Sequence, residues 1–155
     1  MPDHDEFMQM AIRQARKAAQ EVPIGAVLID QSGQVLAASH NQTISRCDPT
    51  AHAEITALRE GAIKIQNYRL LNTSLYVTIE PCVMCMGAII HARVSRLVFG
   101  ASDPKWGAAG SVYDFSGDAK LNHQLEIIRG INETECKELM QAFFRERRKH
   151  RCQTL

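Results

Sequence analysis

Hydrophobic and polar positions along this chain change period several times, and each change marks an element. Phe7, Met8, Ala11, Ile12, Ala15, Ala18 and Ala19 fall on one stripe at three-to-four spacing. That spacing predicts a helix from about Asp5 to Gln20, ended by Pro23. The continuous apolar run Ile24 to Ile29 predicts a buried strand, and Val35 to Ser39 a second. The turn residues Asp30-Gln31-Ser32-Gly33 between them make the pair a hairpin, closed by His40-Asn41. After a polar loop from Gln42 to Cys47, Asp48-Pro49 predicts a helix start running to about Ile65. An aspartate there can accept from unpaired N–H groups, and proline suits the first helical position. Leu75 to Ile79 predicts a third strand; Pro81 stops it and opens a helix through Cys82 and Cys85 to about Arg93. Arg96 to Gly100 predicts a fourth strand, Ala101 to Lys120 a long ordered loop, and Leu125 to Arg129 a fifth strand. Asn132 is placed to cap a last helix, with Glu135 three residues on as in a capping box. Cys136, Leu139, Met140, Phe143 and Phe144 form its apolar stripe.

Strands alternating with helices predict an α/β layered domain, with the opening hairpin making the sheet mixed. The crossovers through the second and third helices are expected to be right-handed and to join parallel strands. With 155 residues, 45% of them hydrophobic, the chain reads as one domain, 1–155, whose core does not need a metal to hold it. The net charge of +1 leaves the partner open. The acidic start (Asp3, Asp5, Glu6) lacks the apolar stretch of a signal peptide, and no run approaches membrane-span length. The five cysteines, odd in number and irregularly spaced, read as reduced thiols and a metal site in a cytoplasmic protein.

Two short clusters carry the chemistry, His52-Ala53-Glu54 and Pro81-Cys82-Val83-Met84-Cys85. Cys82 and Cys85 have the spacing that lets two thiolates grip one ion, and His52 supplies a nitrogen. Three protein ligands with an open fourth position are the pattern of catalytic zinc, with water in the remaining place. A redox Cys-x-x-Cys would need neither His52 nor Glu54, and a four-ligand structural knuckle would need a second nearby pair. Residues two apart on a helix differ by about 200°, so His52 and Glu54 meet one site only if the helix end points at it. The joint pattern, His-x-Glu followed by Pro-Cys-x-x-Cys, matches that of zinc nucleobase deaminases. In that chemistry the metal lowers the pKa of its water to about 7, and Glu54 carries protons from water to a ring nitrogen and the leaving ammonia.

Other positions admit more than one reading. Asn41 either meets a base edge or forms a turn. Asp103-Pro104-Lys105 is a substrate contact or an ordinary turn. Trp106 is a lid, a stacking platform or a loop anchor. Gly107-Ala108-Ala109-Gly110 permits close backbone approach or is ordinary loop sequence. Arg145, Arg147, Arg148, Lys149 and Arg151 form either a solvated helix face or a set of phosphate contacts; beside a base-deaminating site the second is favoured.

The chain resembles the bacterial tRNA-specific adenosine deaminases of the cytidine deaminase-like superfamily over nearly its whole length. The likeness rests on Glu21 to Val27, Asp48 to Glu54, Gln66 to Leu70, Glu80 to Cys85, Phe99 to Ala101, Gly107 to Ser111 and Phe143 to Arg145. The resemblance implies a three-layer α/β/α cytidine deaminase-like fold with a five-stranded mixed sheet, and a homodimer. It implies hydrolysis of adenosine to inosine at the tRNA wobble position, typically in the arginine tRNA with anticodon ACG, the target nucleotide being extruded from the anticodon loop. It also implies one zinc ion per subunit, held by His52, Cys82 and Cys85 with a bound water or hydroxide, and Glu54 as proton shuttle. By the same resemblance Asn41 contacts the base, and Ile24, Val27 and Ala53 lie at the pocket wall. Asp103 and Lys105 then meet the flipped nucleotide, and Phe144, Arg145, Arg147 and Arg148 the anticodon stem. Trp106, and Arg46-Cys47 before Asp48, depart from the family's usual residues without touching the ligands. The alternative is a deaminase of a free base or nucleoside such as guanine or cytosine; a further one is a zinc-stabilised RNA-binding module without catalysis.

Overall fold

A computed structural model describes residues 2–153. Helix α1 is His4–Ala15, strand β1 Gly25–Ile29 and strand β2 Val35–His40. Helix α2 is Ala53–Ile65, strand β3 Ser74–Ile79 and helix α3 Val83–His91. Strand β4 is Arg96–Ala101, strand β5 Glu126–Arg129 and helix α4 Glu133–Gln153. The five strands form one sheet in the order β2-β1-β3-β4-β5. β1 runs antiparallel to both neighbours, whereas β3, β4 and β5 run parallel. β2 and β3 therefore point the same way, on either side of β1.

Alternation of side chains along the strands sorts the core into two layers. Ala26, Leu28, Leu75, Val77, Leu97 and Phe99 face Ala57, Leu58, Met86 and Ile89 of α2 and α3. Val27, Ile29, Tyr76 and Val98 face the other way, onto Phe7, Met8, Ala11 and Ile12 of α1 and Cys136 of α4. The result is the expected α/β/α sandwich with a mixed five-stranded sheet. Gly25 is where α1 touches the sheet: a Cβ there would overlap the Ala11 carbonyl and lie 2.6 Å from the Ala15 amide.

Three boundaries differ from the pattern reading. α1 stops at Ala15, because the next residues turn tightly, Lys17 N–H bonding Gln14 O and Ala18 N–H bonding Ala15 O. Asp48 does not start α2. Its carboxylate accepts the Thr50 N–H at 2.8 Å and the Thr50 hydroxyl at 2.7 Å, closing a local turn, and the helix begins at Ala53. Asn132 does not form a capping box with Glu135. Its φ of 53° is left-handed, and the Glu135 carboxylate instead accepts from Gln9 Nε2 at 2.8 Å and Arg16 at 3.0 Å, tying α4 to α1. Among the described residues no helix is long and apolar enough to cross a membrane.

Candidate metal centre

The topology brings the chemistry to one end of the sheet. β2 and β3 end side by side with the start of β1, Gly25 pairing with His40. Chain leaving β2 leads into α2, and chain leaving β3 leads into α3. Such strand carboxyl ends, with helix N-termini opening from them, are where α/β sheets bind ligands. His52 is the N-cap of α2 and Cys82 the N-cap of α3. Neither side chain caps its own helix, so both remain available to a third party. The two helix ends point at one place, as the His52–Glu54 spacing requires.

His52 Nδ1 lies 3.7 Å from Cys82 Sγ and 3.4 Å from Cys85 Sγ. All three donor atoms lie within 4.8 Å of one another. Tetrahedral zinc with Zn–S of about 2.3 Å and Zn–N of about 2.0–2.1 Å sets nitrogen and sulfur about 3.6 Å apart, and the observed pair brackets that value. One imidazole and two sulfurs are also the donor chemistry zinc favours. The residues fit the ion.

Protonation in this cluster shows what a cation would relieve. The Cys85 S–H bonded to Cys82 stabilises the Cys82 thiolate, and the sulfur's ordinary value falls to about 4. Cys85 is pushed far up, first by that same bond and then by burial. The hydrogen bond from His52 to Cys82 raises the imidazole's affinity for its proton. Without a metal the three donors share protons; a divalent ion would displace them.

Glu54 sits in the first turn of α2 and is 3% exposed. Burial raises its carboxyl above the usual range, and its Oε1 has no hydrogen-bond partner. A buried carboxyl with a spare oxygen beside a metal-ligand set is placed to hold or move a proton. Asn41, at the end of β2, resembles it: 5% exposed, with Oδ1 buried and unpartnered, and with its backbone N–H held by Ile24 O at 3.0 Å. Ala53 is buried, its carbonyl accepting the Ser39 hydroxyl at 2.7 Å, and Ile24 is half-buried at the same edge.

Val27 is the exception among the expected pocket residues. It is wholly buried in the layer between the sheet and α1, since strand alternation turns it away from α2 and α3. It packs the core and does not line the metal centre.

The remaining expected residues sit outside this cluster. Asp103 accepts the N–H groups of Lys105 at 3.0 Å and Trp106 at 3.2 Å, so its carboxylate shapes its own turn. Lys105 is exposed, and Trp106 is 70% exposed. On α4, Phe144, Arg145, Arg147 and Arg148 are exposed. The Arg147 guanidinium also covers the Phe143 ring at 4.9 Å from its centroid and donates to Gln20 O at 3.2 Å.

Two buried acids, Glu21 and Glu80, have no role in the sequence reading beyond marking the family likeness. Glu21 accepts from Ile44 N–H at 2.6 Å and the Ser45 hydroxyl at 3.0 Å, fixing the loop that leads to His52. Glu80, next to Pro81-Cys82, gathers the loop that follows β4. A charged residue ending an apolar strand was the only local sign of Glu80.

Fold and site together define the deaminase class. A family model described as the cytidine and deoxycytidylate deaminase zinc-binding region matches residues 1–101. A tRNA-specific adenosine deaminase of Haemophilus influenzae is 51% identical over 149 residues, covering 95% of this chain and 86% of the relative. A tRNA-specific adenosine deaminase of Bacillus subtilis is 42% identical, covering 96% of this chain and 93% of the relative. A solved structure from work on A-to-I editing by tRNA deaminases at the wobble position of transfer RNA superposes with a TM-score of 0.83. It is 43% identical and covers 86% of this chain and 98% of that one. This chain belongs to the cytidine and deoxycytidylate deaminase zinc-binding family, in its tRNA-specific adenosine deaminase branch.

Proposed function

We propose that this chain hydrolyses adenosine to inosine at the wobble position of a tRNA, that of arginine with anticodon ACG, as a cytoplasmic homodimer with one zinc ion per subunit. The observation that carries the reading is the pairing of the His52, Cys82 and Cys85 donor set with the buried, half-unpartnered Glu54. Zinc in that set would supply Lewis acidity toward a water molecule. Glu54 takes that water's proton and gives it to N1 of the adenine, while the water oxygen bonds to C6. The same carboxylate then takes the second proton, from the hydroxyl now on C6, and passes it to the departing amine; the C6–N bond breaks as the C6 carbonyl forms, and ammonia leaves with inosine behind. Asn41 offers its buried Oδ1 as an acceptor for the base, and the wall beside it is Ile24 and Ala53. Asp103, Lys105, Phe144, Arg145, Arg147 and Arg148 supply the more distant contacts that a polynucleotide needs and a free base does not. Residues 1–155 act as one domain in this account.

The test is inosine formation in an arginine-tRNA anticodon stem-loop, with free adenosine, cytidine and guanine run in parallel. Conversion of the wobble adenosine alone is expected. Turnover only of a free base or nucleoside would keep the zinc chemistry and discard the tRNA. No turnover in zinc-loaded, folded protein would leave an RNA-binding module.

A further inference from the structure

Glu80 lies between the last residue of β3 and the Pro81-Cys82 step into α3, and it is 3% exposed. A buried carboxylate is tolerated when its lone pairs are met. Among the described residues Glu80 has no ion-pair partner, and its acceptor capacity goes to one segment. One oxygen accepts the Asp103 N–H at 3.2 Å and the Ser111 hydroxyl. The other accepts the N–H groups of Ala109 at 3.0 Å and Ser111 at 3.1 Å. The segment is bound by its backbone as well to the residue just before Cys82, the Ala108 N–H donating to Pro81 O at 2.9 Å. Gly107 has no room for a Cβ, which would overlap the Glu80 carboxyl. From the outside, Arg129 at the end of β5 donates to Ala109 O at 3.1 Å. The chain between Asp103 and Ser111 is thus wrapped around one carboxylate two residues from Cys82. Its exposed tip carries Lys105 and the chain's only tryptophan, Trp106.

We propose that Glu80 is a positioning residue that holds the 103–111 segment as a fixed rim beside the metal centre, so that the rim receives RNA already in shape. The role rests on the tRNA reading above. It acts on substrate capture and leaves the proton chemistry to Glu54. Preorganised rims lower the ordering cost of binding, so loosening one weakens capture without altering the reacting groups.

Glu80→Gln keeps the volume and turns part of the clamp against itself. The amide nitrogen it introduces faces backbone N–H groups, donor against donor. Three readouts are taken on zinc-loaded protein: KM and kcat for the anticodon stem-loop, bound zinc, and acrylamide quenching of Trp106 fluorescence. Losing one charge-assisted hydrogen bond's worth of preorganisation raises KM about tenfold. Zinc content and kcat stay at wild-type values, and Trp106 becomes easier to quench. Ser111→Ala, an exposed position that removes one donor, moves KM and quenching the same way by less. It serves where Glu80→Gln does not fold. Unchanged KM and quenching in either folded variant would overturn the proposal, and so would zinc loss with an equal fall in kcat, which would make Glu80 a support of the metal site. If wild-type protein does not turn over the stem-loop, the tRNA reading fails by itself. Quenching then still decides whether Glu80 holds the rim.

Discussion

Replacing Glu54 by glutamine removes a proton carrier and leaves the volume almost untouched. The side chain is 3% exposed, burial raises its carboxyl, and one oxygen has no partner. Glutamine brings no charge to desolvate, so the fold has no reason to weaken. Melting is expected within about 4 °C of wild type, the shift that about 1 kcal/mol produces in a chain of this size. His52, Cys82 and Cys85 are unchanged, so zinc content holds. Positioned acid–base groups contribute about 100- to 10,000-fold, so kcat falls by at least about 100-fold, or about 3 kcal/mol on the barrier. The assay is single-turnover inosine formation, read by nuclease digestion and chromatography, beside a melting curve and a zinc determination. A variant within about tenfold of wild-type kcat refutes Glu54 as the proton carrier, the smallest contribution expected of such a group being larger. Loss of zinc would instead make the carboxylate a support for the ligands.

Three further outcomes follow from the packing and the thiols. Chelating zinc abolishes turnover but leaves far-UV dichroism intact, because two apolar layers hold the sheet; it exposes Cys82, whose value near 4 makes it a reactive thiolate at pH 6, and cooperative unfolding on chelation would contradict this. Burial pushes the Cys136 thiol up to about 12, so it resists alkylation at pH 8 while exposed Cys47 and Cys152 react. In the unfolded chain a thiol ionises near about 8.5, so the folded form binds more protons above that pH. Stability therefore falls as pH rises from there toward 12, and Cys136→Ala flattens that slope in alkaline denaturant melts. Gly25→Ala drives a methyl group into the α1 backbone and costs about 1–3 kcal/mol or more, seen as a lower denaturation midpoint; an unchanged midpoint would mean α1 is not seated as described.

Much of this molecule is local enough to read from its residues. The strands announce themselves by apolar runs, and the ligands by Cys82 and Cys85 at fixed spacing with His52 and Glu54 upstream. The need for a helix end to face the metal follows from helix geometry alone. What escaped depends on partners distant in sequence. Asp48 and Asn132 carry the residue types that start helices, yet a local turn claims one and a left-handed backbone occupies the other. Glu135 is spent on Gln9 and Arg16, and no local rule points 119 residues away. The donors to Glu80 are likewise distant: three backbone amides and the Ser111 hydroxyl, 23 to 31 residues further on. Val27 shares an apolar run with the residues at the pocket edge, and only the register of β1 shows which way it faces.

The central claim is a hydrolytic exchange of an amine for a water oxygen, on one adenosine of a tRNA, at the His52–Cys82–Cys85 centre. It is tested most directly by running the reaction in heavy-oxygen water and weighing the nucleosides released from the tRNA. The account predicts inosine carrying the heavy oxygen on its base, from the wobble position alone, with an equal amount of ammonia, formed at least about 100-fold more slowly by the Glu54→Gln variant. Inosine without the label, label at other adenosines, or equal yields from the variant would contradict it.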